Sequence, residues 1–99
     1  MQENLFVYGS LKFKETQIRI IGRIVETVPD VLPGYTTTKV DIDGLKYHIA
    51  VPDEKRELKG IMMTVSSEEL KKIDEYETSA YRRDRSVLKS GTIAWVYQK

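Results

Sequence analysis

The sequence predicts an α+β domain in which a small mixed β-barrel carries flanking short helices. Three observations lead there. Two hairpin signals, Asp43-Gly44 and Ser90-Gly91, each sit between runs of strand-forming residues. Two other stretches, Glu15 to Arg23 and the segment after Ser66, place apolar residues at helical spacing instead. Strands before and after short helices, joined by hairpins, favour a sheet that curls over one core. At 99 residues the chain is long enough for one core and too short for two, so residues 1–99 are expected to form a single domain.

Taken in order, Leu5 to Tyr8 is a compact apolar and aromatic run that reads as a buried strand entering a turn at Gly9-Ser10. Glycine allows close backbone approach and positive φ, which would let the N–H groups of Gly9, Ser10 and Leu11 face a pocket. A plain strand end is the simpler reading of the same residues. Glu15 to Arg23 reads as a short helix with Ile18 and Ile21 inward, Thr16 as its cap and Gly22 near its stop. Ile24 to Val28 extends that helix or begins a strand. Pro29, Asp30 and Pro33-Gly34 predict a turn-rich connection.

Tyr35 to Ile42 and Leu45 to Val51 flank Asp43-Gly44 as the clearest hairpin. Pro52 to Lys55 predicts the next turn, and Leu58 to Val65 another strand, with Met62 and Met63 as core filler. Ser66 and Glu69 match a capping box at a helix start, and Thr78-Ser79-Ala80 is expected to end that helix. Tyr81 to Leu88 and Thr92 to Tyr97 complete a second hairpin, with Trp95 packed on the sheet.

Sixteen basic against fifteen acidic side chains give a net charge of +1, so no global attraction to nucleic acid or an anionic membrane is expected. The densest basic cluster, Arg82, Arg83 and Arg85, is interrupted by Asp84 and splits between two faces of a strand. Without cysteine, thiolate chemistry and disulfides are excluded. One histidine, His48, is too few for a histidine metal site or a triad with a nucleophile. The N-terminus lacks the features of a signal peptide, and the apolar runs fall short of a membrane span. Cytoplasm is the expected compartment.

Acid–base chemistry therefore falls to a carboxylate, a lysine or a tyrosine. At about 100° per helical residue, Leu70 and Ile73 define an apolar stripe and Glu77 points between them. Asp74 lies about 40° to one side of Leu70, while Glu68, Lys71 and Glu75 read as the solvated face. A buried, unpaired carboxyl has a raised pKa and suits a general acid or base. Alternatively the helix frays before Glu77, which then sits at the surface or bonds a nearby arginine. Tyr81, four residues on, could place its phenol at a ligand or keep it in water.

Tyr8-Gly9-Ser10-Leu11, Ile73-Asp74-Glu75-Tyr76-Glu77 and Tyr81-Arg82-Arg83 occur in the order and spacing of three landmarks of the γ-glutamylcyclotransferase-like family, which this chain resembles over essentially its whole length. Phe13-Lys14-Glu15 stands where that family often has Gly and Asn, Thr78 where Gly often follows the glutamate, and His48 where Pro is frequent. The resemblance implies a small mixed barrel with flanking helices. It also implies Glu77 as catalytic acid/base, and Tyr8, Gly9, Ser10, Leu11 and Tyr81 as substrate-binding residues. The implied reaction converts a γ-glutamyl amide, a small-molecule substrate, into 5-oxoproline and a free amine without metal or organic cofactor. The alternative is a catalytically inactive ligand-binding module of the same fold.

Overall fold

The computed structural model describes residues 1–77 and 81–98. Strand β1 (Gln2–Val7) leads through a single 3-10 turn (Ser10–Lys12) into helix α1 (Lys14–Ile21). Strands β2 (Thr27–Ile42) and β3 (Leu45–Ser66) precede α2 (Ser67–Glu77), and β4 (Arg82–Val87) and β5 (Ile93–Gln98) close the sequence. The five strands form one mixed sheet in the order β2-β3-β1-β5-β4. Among the described residues no helix is long and apolar enough to cross a membrane.

The sheet curls because β3 serves two neighbours. Its second half pairs antiparallel with β1 from Ile61 to Ser66, whereas Ala50 in its first half meets Gln98 of β5 in parallel. Since β1 and β5 are themselves parallel, the two halves of β3 run in opposite senses relative to β5. The long β2–β3 hairpin is therefore bent back over the sheet. At the far edges, Lys89 donates its N–H to the Val31 carbonyl at 2.8 Å, and Ser90 Oγ donates to the Asp30 carboxylate at 2.6 Å. These contacts draw the β4–β5 turn onto β2, giving a curled half-barrel with two helices.

The turn expected at Pro29 to Gly34 is absent, because the β2–β3 ladder runs on through Pro33. At Pro52 to Lys55 the ladder steps from Pro52 to Glu57, so residues 53–56 bulge out without a β2 partner, and the Lys55 N–H donates to Asp53 Oδ1 at 3.1 Å. Proline loses only an outward N–H on an edge strand, and β2 is an edge. The register shifts between Pro33 and Tyr35, where Gly34 takes φ 78°, so these breakers mark an irregularity inside a strand rather than its end. At the hairpin tip the reading holds: Asp43 and Gly44 have φ of 51° and 80°, the signature of a type I′ turn.

Alternation along the strands divides the apolar residues between two cores. Leu5, Val7, Met63, Val65 and Tyr97 pack with Leu11, Ile21, Leu70 and Ile73 beneath the helices. Phe6, Leu32, Leu88, Ala94 and Val96 fill the concave side, with Met62 against them. The adjacent methionines thus serve different cores.

Helix α1 departs from its reading at both ends of the argument. It starts at Lys14 behind Phe13 with no side-chain cap, so Thr16 lies inside it. Its inward pair is Gln17 and Ile21, while Ile18 is 51% exposed. Gly22, at φ 82°, caps the helix C-terminus as expected. The capping box at α2 is formed reciprocally: Glu69 N–H donates to Ser66 Oγ at 3.1 Å and Ser66 N–H to Glu69 Oε1 at 2.8 Å. Arg23 adds a two-pronged ion pair to Glu69 at 2.7 and 2.9 Å, and holds its carboxyl down at about 2. The end of α1 is thereby clipped to the start of α2. The expected stop at Thr78-Ser79-Ala80 lies outside the described residues.

Candidate active site

Because the capping box fixes where α2 begins, it also fixes the direction of each later side chain. Leu70 and Ile73 are buried, and Glu77, the last residue of α2, is half-buried. Its carboxylate lies on the wall of a cavity of about 570 Å³, a size suited to a small organic ligand. Among the described residues no hydrogen-bond donor or cation pairs with it. Burial therefore acts unopposed and pushes the carboxyl from its ordinary 4.5 up to about 7.

The arginine considered as an alternative partner goes elsewhere. Arg83 grips Asp74 through two hydrogen bonds of 2.7 and 3.0 Å, and the Tyr97 hydroxyl donates to the same carboxylate at 2.6 Å. Burial alone would raise Asp74, but these donors outweigh it and hold the carboxyl below its usual range. Arg83 and Arg85 each stack over Trp95 at 4.4 Å from the ring centre, and Arg82 pairs with Asp84 at 3.0 Å. Two carboxylates three residues apart thus receive opposite environments.

The loop Tyr8 to Leu11 forms a second wall, and all four of its residues line the cavity. The Tyr8 hydroxyl accepts from the Ala50 N–H at 2.9 Å and donates to the Tyr97 carbonyl. Its ring borders the cavity while its polar end joins β3 to β5 beyond the end of β1; burial raises its pKa far above the ordinary phenol value. Gly9 has φ −113°, so no left-handed backbone is needed here, and a Cβ at this position would meet nothing within 4 Å. Ser10 Oγ lies 2.6 Å from the Tyr76 hydroxyl, tying the loop to α2. Among the described residues, the N–H groups of Gly9, Ser10 and Leu11 donate no hydrogen bond.

Buried Gln17 holds this loop from behind. Its Nε2 donates to the Leu11 carbonyl at 2.9 Å, and its Oε1 accepts from the Val25 N–H at 3.0 Å. Tyr81 lines the cavity as well, its hydroxyl donating to the His48 carbonyl at 3.1 Å and pushed up to about 12, chiefly by burial. The third wall is the β2–β3 hairpin tip, with Asp43, Leu45, Lys46, Tyr47 and His48. Among the described residues no group of three His, Asp or Glu side chains could hold a metal ion.

All six residues singled out from sequence therefore border one cavity: Glu77, Tyr8, Gly9, Ser10, Leu11 and Tyr81. Sequence reasoning missed Tyr76, Tyr97, Gln17 and the hairpin tip. Tyr76 follows Leu70 by six positions, which turns it off the apolar stripe, and nothing local says that the hairpin bends back over the sheet to reach the end of α2.

A family model described as gamma-glutamyl cyclotransferase, AIG2-like, matches residues 5–99. The chain belongs to the gamma-glutamyl cyclotransferase, AIG2-like family. Within that family it is similar to AIG2-like protein A of Arabidopsis thaliana, with 36% identity over 81 residues that make up 81% of this chain and 48% of that protein. Protein AIG2 C of the same plant is 37% identical over 81 residues, again 48% of its own length. The chain thus spans about half the length of these relatives. A solution structure of an Arabidopsis thaliana protein superposes with a TM-score of 0.85 at 30% identity, over 99% of this chain and 62% of the other. A structure named gamma-glutamyl cyclotransferase superposes with a TM-score of 0.74 over 99% of this chain and 66% of the other. At 11% identity that likeness carries the fold alone.

Proposed function

We propose that this chain cyclises a γ-glutamyl amide to 5-oxoproline and a free amine, with Glu77 as the general acid/base. The observation that carries the proposal is the Glu77 carboxyl, unpaired among the described residues and raised to about 7, on a cavity that the Tyr8 to Leu11 loop also lines. The nucleophile is the substrate's own α-amine, which is protonated near neutral pH. A carboxylate of ordinary pKa is a weak base toward such an ammonium. Raising Glu77 to about 7 narrows the gap, which favours proton transfer.

The steps balance without an added reagent. Glu77 takes a proton from the α-ammonium, the amine nitrogen attacks the γ-carbonyl carbon, and a ring C–N bond forms. The scissile C–N bond then breaks as the Glu77 carboxyl returns that proton to the departing amine nitrogen. The ring nitrogen gives its second proton to the freed carboxylate, which passes it on so that the amine leaves as an ammonium and Glu77 is restored. The N–H groups of Gly9, Ser10 and Leu11 serve the oxyanion or the substrate α-carboxylate, and the rings of Tyr8 and Tyr81 confine the substrate. The scheme calls for no metal or organic cofactor.

The test is a panel of γ-glutamyl amides assayed for 5-oxoproline, run beside Glu77→Gln. Release by the parent chain from at least one member supports the proposal. A tight thermal-shift response to a γ-glutamyl amide with no product from any would replace the enzyme with a binding module.

A further inference from the structure

The type I′ turn at Asp43-Gly44 determines which backbone groups of β3 are free. Ile42 and Leu45 are the closing, hydrogen-bonded pair of a two-residue hairpin, so the ladder to β2 uses Leu45, Tyr47 and Ile49. Lys46, His48 and Ala50 then turn their N–H and C=O groups away from β2, along the opposite edge. Two phenols already occupy part of that edge: Tyr8 takes the Ala50 N–H, and Tyr81 takes the His48 carbonyl. Among the described residues the Lys46 carbonyl and the His48 N–H have no strand or side-chain partner, and both residues line the cavity that holds Glu77.

A Lys46 carbonyl and a His48 N–H on one edge form the pairing unit for a single residue laid parallel to β3 opposite Tyr47. That residue's side chain would fall on the same face as Tyr47 and Leu45. Both are large apolar side chains left open at the cavity wall, 39% and 61% exposed. The charges nearby, Asp43 and Lys46, are one of each sign, which selects neither a cationic nor an anionic leaving group. The edge thus offers amide recognition and an apolar platform together.

Building on the proposed reaction, we propose that the amine half of the substrate is an apolar aminoacyl residue, docked as a one-residue strand on the free edge of β3 at Lys46 to His48. Its N–H donates to the Lys46 carbonyl, its carbonyl accepts from the His48 N–H, and its side chain packs on Leu45 and Tyr47. Leu45 and Tyr47 are accordingly specificity-determining residues.

Three probes separate these contacts. γ-Glutamyl-leucinamide carries the side chain and the carbonyl, γ-glutamyl-isopentylamine lacks the carbonyl, and γ-glutamyl-glycinamide lacks the side chain. Leucinamide should exceed each of the others in kcat/KM by roughly fivefold to tenfold, the weight of one neutral hydrogen bond or a modest apolar contact. Tyr47→Ser should collapse the preference over glycinamide. In Glu77→Gln, where turnover is not needed, γ-glutamyl-leucinamide should shift and protect the His48 amide resonance and γ-glutamyl-isopentylamine should not. Equal kcat/KM for the leucinamide and isopentylamine probes, or a His48 amide indifferent to both, overturns the docking. A responsive His48 amide without 5-oxoproline from any probe instead overturns the reaction and keeps the docking.

Discussion

Ala50 donates its backbone N–H to the Tyr8 hydroxyl at 2.9 Å, and that hydroxyl donates onward to the Tyr97 carbonyl. One phenol thus links β3 to β5 just past the end of β1, which stops at Val7. Tyr8→Phe keeps the ring and removes both bonds, leaving a buried N–H and a carbonyl less well satisfied. A loss of about 1–3 kcal/mol is expected, read as a lower urea midpoint, with faster hydrogen exchange at Ala50. An unchanged midpoint and unchanged exchange would show that the phenol is not a latch.

Glu77 makes stability depend on pH with a definite sign. Its carboxyl is raised by folding from 4.5 to about 7, so its favourable contribution is full below about 4.5 and lost as pH rises through about 7. Glu77→Gln cannot ionise. Thermal melts should therefore find the two chains similar at pH 4 and the Gln variant more stable at pH 8, by ~1–3 kcal/mol. A Gln variant less stable at pH 8 would mean that the native carboxylate has a compensating partner.

Asp74 has the opposite sign. Arg83 and Tyr97 hold it below its ordinary range against burial, so its contribution is present above the unfolded value and fades as pH falls through the folded one. Asp74→Asn should cost ~1 kcal/mol at pH 7, after allowance for its partial exposure. The deficit should shrink toward pH 2 in the same urea titration. A deficit that does not change with pH would count against a charged pair.

How legible these arrangements were from the sequence depended on the range of the interaction behind each. The Ser66–Glu69 capping box and the Asp43-Gly44 turn are set within four residues, and both were readable with their consequences for Glu77 and for the hairpin tip. Pro33-Gly34 was misread as a turn because its local preference is real, while the cross-strand ladder that overrides it joins residues far apart in the chain. Asp74 and Glu77 are both carboxylates near the same stripe of α2. Only the position of Arg83, on a strand beyond the helix, decides which of them is neutralised. Gln17 gave no signal, since a polar residue buried to hold backbone groups looks like any polar residue on a short helix.

Gln17 supports a separate expectation. Gln17→Leu fits the apolar surroundings but strands the Leu11 carbonyl and the Val25 N–H, at a cost of about 1–3 kcal/mol. The Leu11 carbonyl anchors the loop that faces Glu77, so KM for an accepted γ-glutamyl amide should rise more than kcat falls. Stability and KM both at parental values would show that the loop holds its shape unaided.

The central claim is that Glu77 moves the proton in this cavity, and kcat/KM for 5-oxoproline release, followed from pH 5 to 9 in the parent chain and in Glu77→Gln, tests it most directly. The parent should show a rising limb near pH 7, where Glu77 loses its proton. The Gln variant should fall by about 10²- to 10⁴-fold and lose that limb. Parental rates in Glu77→Gln, with the limb intact, would contradict the assignment.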